Sequence, residues 1–493
     1  MDGGWADMHG WRIDRGADVP LFRQIYQQVR EAIVTRALAP GARLPATRDL
    51  SARLGVSRTS TVSAYDQLVS EGWLQSRVGS GVYVADDLPE PFAVRPRAAP
   101  LPQEPGGAYG PDPDHLLGPL VPSDGAAWSQ RPFVMGLALI DGRGAQAWRR
   151  LTHRSVRAFD PRHFGYTDPR GLPELRQAVC AYLRAARGVR CEADQVLITS
   201  GTQHAIDLAV RTLLRPDDDV WVEDPGYGMT YRGLIAAGLK PRPIPVDEQG
   251  IDVAEGLRRA KGARAAVVTP SHQYPTGAVL SMARRWELLA WARRADAWIL
   301  EDDYDSELRY KGRPLASLLG LDESERVIYV GTLNKALFPG LRIGYAVVPR
   351  SLVADFVNTR HLSDRQPPTL NQIVLADFMA EGHLAAHFRR MRLLYRRTQA
   401  TLMDELDRQV GPGRLAFRPP DQGNHLVVWL PDGMSDVALE QAARARGVIC
   451  RAISRLYLDT KPRAGLMLGF TGFQPEALAG PTAVLAQVLR EAF

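Results

Sequence analysis

The sequence predicts a multidomain chain in which a small α+β domain precedes a larger α/β domain. At 493 residues the chain is too long for one hydrophobic core, so more than one domain is expected. A run rich in proline, glycine and alanine can form neither helix nor sheet, which predicts an extended linker. Beyond it, apolar strand-like runs alternate with helical segments, which is typical of a mostly parallel sheet covered by helices. We therefore assign residues 1–85 to the first domain, 86–130 to the linker and 131–493 to the second domain.

Bulk composition limits the class of protein. Apolar residues make up 45% and charged residues 24% of the chain, as in ordinary soluble globular proteins. The formal net charge of +6 permits binding to nucleic acid without requiring it. The three cysteines, Cys180, Cys191 and Cys450, lack the spacing of metal ligands and cannot all pair, which suits a reducing compartment. Because the sequence has neither the apolar core of a signal peptide nor an apolar run of membrane-spanning length, we expect a soluble, cytoplasmic protein without a membrane partner.

The first domain has the pattern of helices followed by a hairpin. The predicted helices cover residues 21–37, 48–54 and 58–70, and the predicted strands cover residues 73–77 and 81–84. Thr47 and Ser57 are the expected N-caps of the second and third helices. Two short helices joined by a glycine turn, followed by a hairpin, predict a winged helix-turn-helix.

The third helix of this domain is the expected recognition helix, which would enter the major groove of DNA. It begins with short polar side chains able to meet bases or phosphates: Ser57, Arg58, Thr59, Ser60 and Thr61. Gly79 lies in the turn of the hairpin and would let the wing approach the minor groove. Tyr65 lies in the same helix and has helical spacing with apolar neighbours, so it is as well explained as a core residue as it is as part of the DNA-binding motif. Contact with another protein is the alternative use of such a domain.

A lysine follows a strand-like run in the second domain. Residues 326–330 suit a buried strand, and the turn 331–334 presents Lys335 at its end. A lysine held in a dry pocket has a lowered pKa and can form a Schiff base with an aldehyde cofactor. Arg342 follows closely and offers the planar fork that binds a phosphate. Taken alone, such a residue is more commonly a surface lysine in a basic loop. The residues at the other strand ends must therefore decide between a surface lysine and a Schiff-base lysine.

Two further strand ends supply an anion site and an aromatic ring. The segment 200–203 follows a predicted strand and opens a helix, whose N-terminus attracts an anion. An ordinary helix cap is the alternative for this segment. Tyr227 follows another strand and would lie over an aromatic ring, unless it is only a packed tyrosine in a turn.

A third strand end carries several acids. Residues 301–305 read Glu-Asp-Asp-Tyr-Asp after an apolar run, an arrangement that is unfavourable unless a positive group is present. A protonated pyridine nitrogen would satisfy Asp302, and Tyr304 would reach a phenolic oxygen of the same ring. A metal ion is the competing explanation, but no nearby histidine pair completes a metal site. Together with Lys335 and Arg342, these residues indicate pyridoxal phosphate.

The motifs resemble those of a known family. SGTQ, EDPGY, SHQYPTG, EDDYDSE and TLNKALFPGLRIGY resemble the fold-type I aminotransferases, in the form carried by the MocR (GabR-like) regulators. GARLPATRDLSARLGVSRTSTVSAYDQLVSEGWLQSRVGSGVYVA resembles the GntR-type winged helix that precedes the aminotransferase-like domain in that family. The resemblance spans nearly the whole chain apart from its first residues and the linker, and it implies a pyridoxal-phosphate-dependent fold-type I domain behind a DNA-binding domain.

The resemblance implies a role for each matching residue. Lys335 would form the internal aldimine, Asp302 would pair with the pyridine nitrogen, Tyr304 would bond the phenolic oxygen and Tyr227 would stack on the ring. The residues that match the phosphate site are Gly201, Thr202, Gln203, Thr332 and Arg342, with Tyr166 entering from the neighbouring subunit. In the winged helix, Arg43, Arg48 and Arg58 match basic positions common in GntR-type domains.

Two features depart from the parent aminotransferases. Tyr274 stands where they carry an asparagine on the phenolic oxygen of the cofactor, which puts transamination in doubt. The last strand, within LMLGF, lacks the arginine that grips a substrate carboxylate. Arg455 is our preferred replacement for that role, with Arg463 and Arg232 as alternatives.

The resemblance implies a transcription regulator that senses an amino compound, such as an amino acid or a GABA- or taurine-like amine. The effector would form an external aldimine in place of Lys335 and so control a nearby metabolic operon through a double-stranded DNA operator. The family precedent is a head-to-tail, domain-swapped homodimer. A working aminotransferase is the rival hypothesis, and a DNA-binding protein without a cofactor is a third.

Overall fold

In the computed structural model the chain forms two compact units, Met1–Tyr109 and Gly110–Phe493. The structure describes residues 11–77, 79–86, 131–158, 160–312, 315–411, 413–417 and 419–492. The predicted linker, residues 86–130, lies outside these ranges except for its first residue. Among the described residues, no helix is long and apolar enough to cross a membrane.

The first unit is a winged helix-turn-helix, which confirms the fold predicted for it. Its elements are α1 (Leu21–Val34), α2 (Thr47–Leu54), α3 (Arg58–Ser70), β1 (Leu74–Arg77) and β2 (Gly81–Val84). The two strands pair antiparallel and form the wing hairpin. Ile25 and Val29 recur on one face of α1 and share a buried core with Leu68 of α3 and Val84 of β2. This helical spacing of apolar residues is what the sequence pattern predicted.

The helix ends confirm one predicted cap and correct another. The Oγ atom of Ser57 accepts a hydrogen bond from the backbone N–H of Ser60 at 3.1 Å, which confirms the N-cap of α3. The predicted cap at Thr47 is wrong, because Thr47 is itself the first residue of α2 and no side chain caps that helix. The hydroxyl of Tyr65 donates to the carbonyl of Pro45 at 3.2 Å, and the ring is buried in the core.

The second unit alternates helices and strands. Its helices are α4 (Gly142–Arg157), α5 (Pro173–Arg187), α6 (Thr202–Leu213), α7 (Gly228–Ala236), α8 (Val253–Arg259), α9 (Met282–Ala295), α10 (Leu318–Leu321), α11 (Val353–Ser363), α12 (Thr369–Ala380), α13 (His383–Val410), α14 (Asp436–Ala445) and α15 (Ala479–Ala492). Its strands are β3 (Val196–Thr199), β4 (Asp219–Asp224), β5 (Lys240–Asp247), β6 (Gly250–Ile251), β7 (Ala265–Val268), β8 (Trp298–Asp303), β9 (Val327–Thr332), β10 (Gly344–Val347), β11 (His425–Trp429), β12 (Arg451–Ala452) and β13 (Gly465–Gly469).

An eight-stranded sheet forms the centre of this unit, in the order β3-β10-β9-β8-β7-β4-β5-β6. Neighbours from β9 to β5 run parallel, whereas β10 runs antiparallel to β3 and β9, and β6 runs antiparallel to β5. Successive strand residues face opposite sides. In β9, Ile328 packs with Leu208 of α6 on one face, and Tyr329 shares a core with Leu183 of α5 on the other. The prediction of a mostly parallel sheet covered by helices is confirmed.

A smaller antiparallel sheet, in the order β11-β13-β12, forms a second layer of the unit. Leu466 and Leu468 of β13 share a core with Leu402 of α13 and Leu485 of α15. The sequence predicted β13 from its apolar run.

One carboxylate ties the segment after β12 to the large sheet. Asp224, at the end of β4, accepts backbone N–H bonds from Leu458, Asp459 and Thr460 at 2.7, 3.0 and 2.7 Å. A carboxylate that accepts several backbone N–H bonds is strongly held. The bond holds the segment 458–460 beside the carboxyl ends of the parallel strands.

Candidate functional site

A cavity of about 190 Å³ lies at the carboxyl ends of the parallel strands. It is lined by Met135, Gly136, Thr202, Tyr227, Thr269, Tyr274, Asp302, Tyr304, Lys335, Asn424 and Arg451. A larger cavity of about 790 Å³ shares Tyr227, Thr269, Asp302 and Arg451 with it. The two cavities therefore adjoin, and the strand ends predicted from the sequence do meet at one place.

Lys335 follows β9 and reaches into the smaller cavity. Burial lowers the pKa of its ammonium, and the nearby charge of Arg342 lowers it further, while Asp302 acts in the opposite sense. Gly136 packs directly against the end of this side chain, so a Cβ atom there would force Nζ to move. Gly136, at φ +70°, was not found from the sequence, because nothing in its neighbourhood marks it as close to Lys335.

Asp302 is a buried carboxylate without a full set of partners. Its Oδ1 atom has no hydrogen-bond partner among the described residues. Burial raises its pKa to about 8, with further contributions from Asp303, Glu223 and Asp305. A group held in this state favours a proton or a cation placed against it.

The neighbouring acids on β8 are neutralised on the opposite face of the sheet. Glu301 accepts backbone N–H bonds from Leu318 at 2.8 Å and Leu319 at 3.0 Å, at the start of α10. Asp303 pairs with the buried Arg187 at 2.7 Å. The alternation of β8 therefore separates acids that have structural partners from Asp302, which faces the cavity.

The segments predicted to bind phosphate lie together. Thr202 opens α6 and lines the cavity. A Cβ at Gly201 would lie 3.0 Å from Nδ2 of Asn334 and 3.7 Å from a terminal nitrogen of Arg342. Asn334 accepts the backbone N–H of Ile343 at 2.9 Å and so fixes the turn that contains Lys335 and Arg342. A helix N-terminus and an arginine fork are groups that favour an anion, as the sequence predicted for this segment.

Of these predicted phosphate ligands, only Thr202 lines a cavity, whereas Gly201, Gln203, Thr332 and Arg342 line neither of the two cavities. Thr332 is buried at the end of β9, where its Oγ1 accepts the backbone N–H of Asn334 at 3.2 Å. Gln203 is exposed, and its Nε2 lies 2.8 Å from the point that a Cβ of Gly233 would occupy.

Three tyrosines surround the cavity. The rings of Tyr227 and Tyr274 meet edge to face at 5.3 Å, and those of Tyr274 and Tyr304 at 6.4 Å. The hydroxyl of Tyr274 accepts a hydrogen bond from Arg451 at 3.2 Å. Tyr274 therefore occupies the cavity wall, with its hydroxyl already engaged by an arginine.

Arg451 is the arginine that sequence reasoning missed. It lies on the short strand β12 and lines both cavities. Arg455 and Arg232 line only the larger one, and Arg455 lies 3.7 Å from Glu440. Arg463 lines neither cavity, and its guanidinium stacks on the ring of Trp429 at 4.3 Å.

Tyr166 also stands outside both cavities. Its side chain is 77% exposed and lies beneath the guanidinium of Arg365 at 3.9 Å. The sequence had assigned it to the site of a neighbouring subunit, so its exposure in a single chain leaves that prediction open.

Most of the predicted DNA-contacting residues are exposed, with two exceptions. Arg43, Arg48, Ser57, Arg58, Thr59 and Gly79 are exposed, and Ser60 is half-buried. Thr61 is fully buried in the core of the unit, so the prediction that it meets DNA is wrong. Arg43 packs against the wing, where a Cβ at Gly81 would lie 3.4 Å from its Nε atom. Throughout the described ranges, no group of three or more His, Cys, Asp or Glu side chains is arranged to hold a metal ion.

Two known protein families match the chain. Residues 143–466 match the family described as aminotransferase class I and II, and residues 21–84 match the bacterial regulatory proteins of the gntR family. The probable rhizopine catabolism regulatory protein MocR of Rhizobium meliloti is 38% identical, covering 94% of this chain and 93% of that protein.

Other relatives and solved structures agree with both matches. The pyridoxine biosynthesis transcriptional regulator PdxR of Corynebacterium glutamicum is 32% identical over 92% of this chain and 93% of its own. The transcriptional regulator TauR of Rhodobacter capsulatus is 31% identical over 96% and 98%. Among solved structures, an archaeal alanine:glyoxylate aminotransferase superposes with a TM-score of 0.66 and 26% identity, covering 72% of this chain and 91% of its own. The alpha-aminoadipate aminotransferase of Thermus thermophilus, solved with a phosphopyridoxyl-leucine, gives a TM-score of 0.65 and 26% identity over 73% and 94%.

Asp302 predicts the pH dependence of the ligand-free protein. Its folded-state pKa of about 8 lies above the unfolded value of about 3.9, so the folded state holds more protons between these values. The free energy of unfolding should therefore fall as the pH rises from about 4 to about 8. Asp302→Asn is expected to make that fall less steep, measured as the urea midpoint of unfolding at each pH. Glu223, Glu301 and Glu307, whose pKa values burial raises to about 7, remain in both proteins, so equal slopes would contradict the assignment.

Proposed function

We propose a function from the premise that the chain belongs to the MocR family, since it joins a GntR-type winged helix to an aminotransferase class I and II domain. The protein is a pyridoxal-phosphate-dependent transcription regulator that senses an amino compound at Lys335 and controls a nearby metabolic operon. Its partners are a double-stranded DNA operator, a small amine and a second copy of the chain, arranged head to tail. The observation that carries the proposal is that Lys335 and the unpartnered Asp302 line one cavity.

Pyridoxal phosphate fits the side chains at this cavity. The proton of its ring nitrogen would satisfy Asp302, whose Oδ1 atom lacks a hydrogen-bond partner within the described ranges. Tyr304 would bond the phenolic oxygen, and Tyr227 would stack on the ring. The phosphate would be held by Gly201, Thr202, Gln203, Thr332 and Arg342, together with the partner subunit's Tyr166.

The amine of Lys335 is prepared for covalent chemistry by its surroundings. Pyridoxal phosphate supplies an aldehyde carbon that a primary amine can attack. Burial lowers the pKa of Lys335, which favours the neutral, nucleophilic amine. An incoming amine would compete with Lys335 for that carbon, so Nζ would be bound in one state and free in the other. A difference of this kind is what allows a ligand to shift the balance between two conformations.

An acid group on the effector would be held by Arg451. This arginine lines both the cavity that contains Lys335 and the larger cavity that contains Arg232 and Arg455. A guanidinium offers a carboxylate or sulfonate two parallel N–H donors. We therefore prefer Arg451 to Arg455, which lines only the larger cavity and lies 3.7 Å from Glu440.

The relatives bear on the biological role. MocR, PdxR and TauR are named as regulators, of rhizopine catabolism and pyridoxine biosynthesis in the first two cases. Their names differ in the pathway, whereas the order of the two domains is shared. We extend to this chain the regulation of transcription, and we infer the amine signal from the position of Lys335 in the cavity.

The first test is spectroscopic. Lys335→Ala removes the amine and is expected to abolish the visible absorbance band of protein reconstituted with pyridoxal phosphate. Lys261→Ala, at an exposed lysine, is the matched control and should keep the band. Effector amines should shift the band of the unmodified protein without multiple turnover of an added keto acid. A band that survives in Lys335→Ala would remove this residue from its role, and rapid turnover would favour an aminotransferase.

The second test concerns the acid group of the effector. Arg451→Gln is expected to weaken binding of amines that carry a carboxylate or sulfonate by roughly 10- to 100-fold, since a hydrogen bond to a charged group is lost. Amines without an acid group should bind as before, and Arg463→Gln serves as the matched control. The spectral titration with each amine is the measurement. Equal weakening of both classes of amine would assign Arg451 a structural role instead.

The third test addresses the DNA-binding unit. Arg58, at the start of α3, is exposed and should neutralise a phosphate of the operator. Arg58→Ala is expected to weaken binding and to reduce the slope of log affinity against log salt by about 1. Arg23→Ala removes an equal charge from the exposed side of α1 and controls for net charge. An unchanged gel-shift titration, with an unaltered cofactor spectrum, would exclude Arg58 from the DNA contact.

A further inference from the structure

A buried histidine and aspartate lie directly behind Tyr304, and the proposed function does not use them. Nδ1 of His272 is 2.9 Å from Oδ2 of Asp305, and both side chains are almost completely buried. The hydroxyl of Tyr304 lies 3.1 Å from the same Nδ1 atom. Tyr304 lines the cavity beside Lys335, so the pair contacts the wall of the site without entering it.

The imidazole ring is held in a single position. A Cβ at Gly423 would lie 2.1 Å from its Cε1 atom, and a Cβ at Gly277 would lie 3.3 Å from its Nε2 atom. Both glycines have positive φ angles, +101° and +77°, which other residues rarely adopt. The ring of His425 lies 5.2 Å away, and its Nε2 atom bonds to the carbonyl of Pro275 at 3.0 Å. The space around His272 is therefore shaped for an imidazole in this orientation.

The contacts decide which nitrogen of His272 carries the proton. An ionised carboxylate can only accept, so Nδ1 donates its proton to Asp305. Nε2 is buried and, within the described residues, has no hydrogen-bond partner, so it has no acceptor for a second proton. The ring is therefore neutral, with its one N–H on the side that faces both Asp305 and Tyr304.

The same proton sets the direction of the tyrosine hydroxyl. Because Nδ1 carries its proton toward Asp305, it has no lone pair for the hydrogen of the Tyr304 hydroxyl 3.1 Å away, and that hydrogen must point away from the histidine. Tyr304 lines the cavity, whereas His272 does not. Burial, followed by the charge of Asp305, raises the pKa of Tyr304 well above its ordinary value, so the hydrogen stays on the phenol.

We propose that His272, held by Asp305, is a positioning residue that turns the hydroxyl of Tyr304 into a hydrogen-bond donor directed at the cavity. This rests on the proposed function, in which the acceptor is the phenolic oxygen of pyridoxal phosphate. A donated bond stabilises that oxygen as an anion and so favours the deprotonated form of the bound chromophore. His272 thereby sets the pH at which the chromophore titrates and acts only through Tyr304.

The experiment is a spectrophotometric pH titration of the full chain reconstituted with pyridoxal phosphate. His272→Phe and His272→Gln lack a donor at the position of Nδ1 and should raise the titration midpoint by about 0.5 to 1 unit, as Tyr304→Phe should. His272→Asn places an amide N–H near that position and should stay close to the unmodified protein. Because His272 acts through Tyr304, His272→Gln should add nothing in the Tyr304→Phe background.

Two outcomes would overturn the proposal. One is an unchanged midpoint in both His272→Gln and His272→Phe, and the other is a further shift in the Tyr304→Phe background. Circular dichroism and operator binding show whether each variant folds. If His272→Phe does not fold, His272→Gln and His272→Asn still provide the comparison, because their side chains are matched in polarity. Nitrogen-15 spectra of histidine-labelled protein, with His272 assigned from His272→Asn, should show a neutral ring protonated at Nδ1. The nitrogen-15 measurement needs no cofactor. If the unmodified protein shows no absorbance band, the proposed function is overturned, and the tautomer of His272 still decides for or against the proposal about this residue.

Discussion

The burial of carboxylates along β8 is the constraint on which the second unit depends. Glu301, Asp302 and Asp303 are consecutive and all almost inaccessible to water, so each needs a partner that replaces hydration. The pleat sends Glu301 and Asp303 to one face, where a helix start and Arg187 receive them. Losing one member of a buried pair such as Arg187 and Asp303 is far more costly than never having formed it. That face is therefore fixed by electrostatics as well as by packing.

Within the described part of the chain, Asp302, which lines the cavity, lacks the partners that its two neighbours on β8 have. Its Oδ1 atom is unpartnered among the described residues, and its pKa rises to about 8. Such a group lowers stability unless a cation is placed against it, which is the usual sign of a functional position. Lys335 has the complementary problem, an ammonium whose pKa burial lowers. Asp302 and Lys335, both disfavoured in their charged forms, therefore share one cavity. A cofactor with a cationic nitrogen suits Asp302, and its aldehyde suits the neutral amine of Lys335.

The surrounding shell gives these groups a fixed geometry. Asn334 holds the turn of Lys335, and the carboxylate of Asp224 holds the segment 458–460 beside the strand ends. Arg451 arrives from the smaller sheet and bonds Tyr274, the residue that replaces the asparagine of the parent aminotransferases. With a tyrosine at position 274, an arginine is held at the cavity wall. An arginine there is better suited to recognising an acid group than to transferring a proton.

The sequence alone determined the order of the two domains, the winged helix, the mostly parallel sheet and the strand-end positions of Lys335, Asp302, Tyr304 and Tyr227. These are local properties, because apolar spacing, glycine turns and the two-residue period of a strand act over a few positions. Tertiary structure alone decided that Thr61 is buried, that Arg463 stacks on Trp429 and that Arg451, Gly136 and His272 surround the site. Each of these depends on which distant segment lies across a gap of a few ångströms, and no local pattern records that distance. The sequence could therefore locate Lys335, which follows a strand in the local pattern. It could not show which arginine lies at the cavity, because that depends on distant segments.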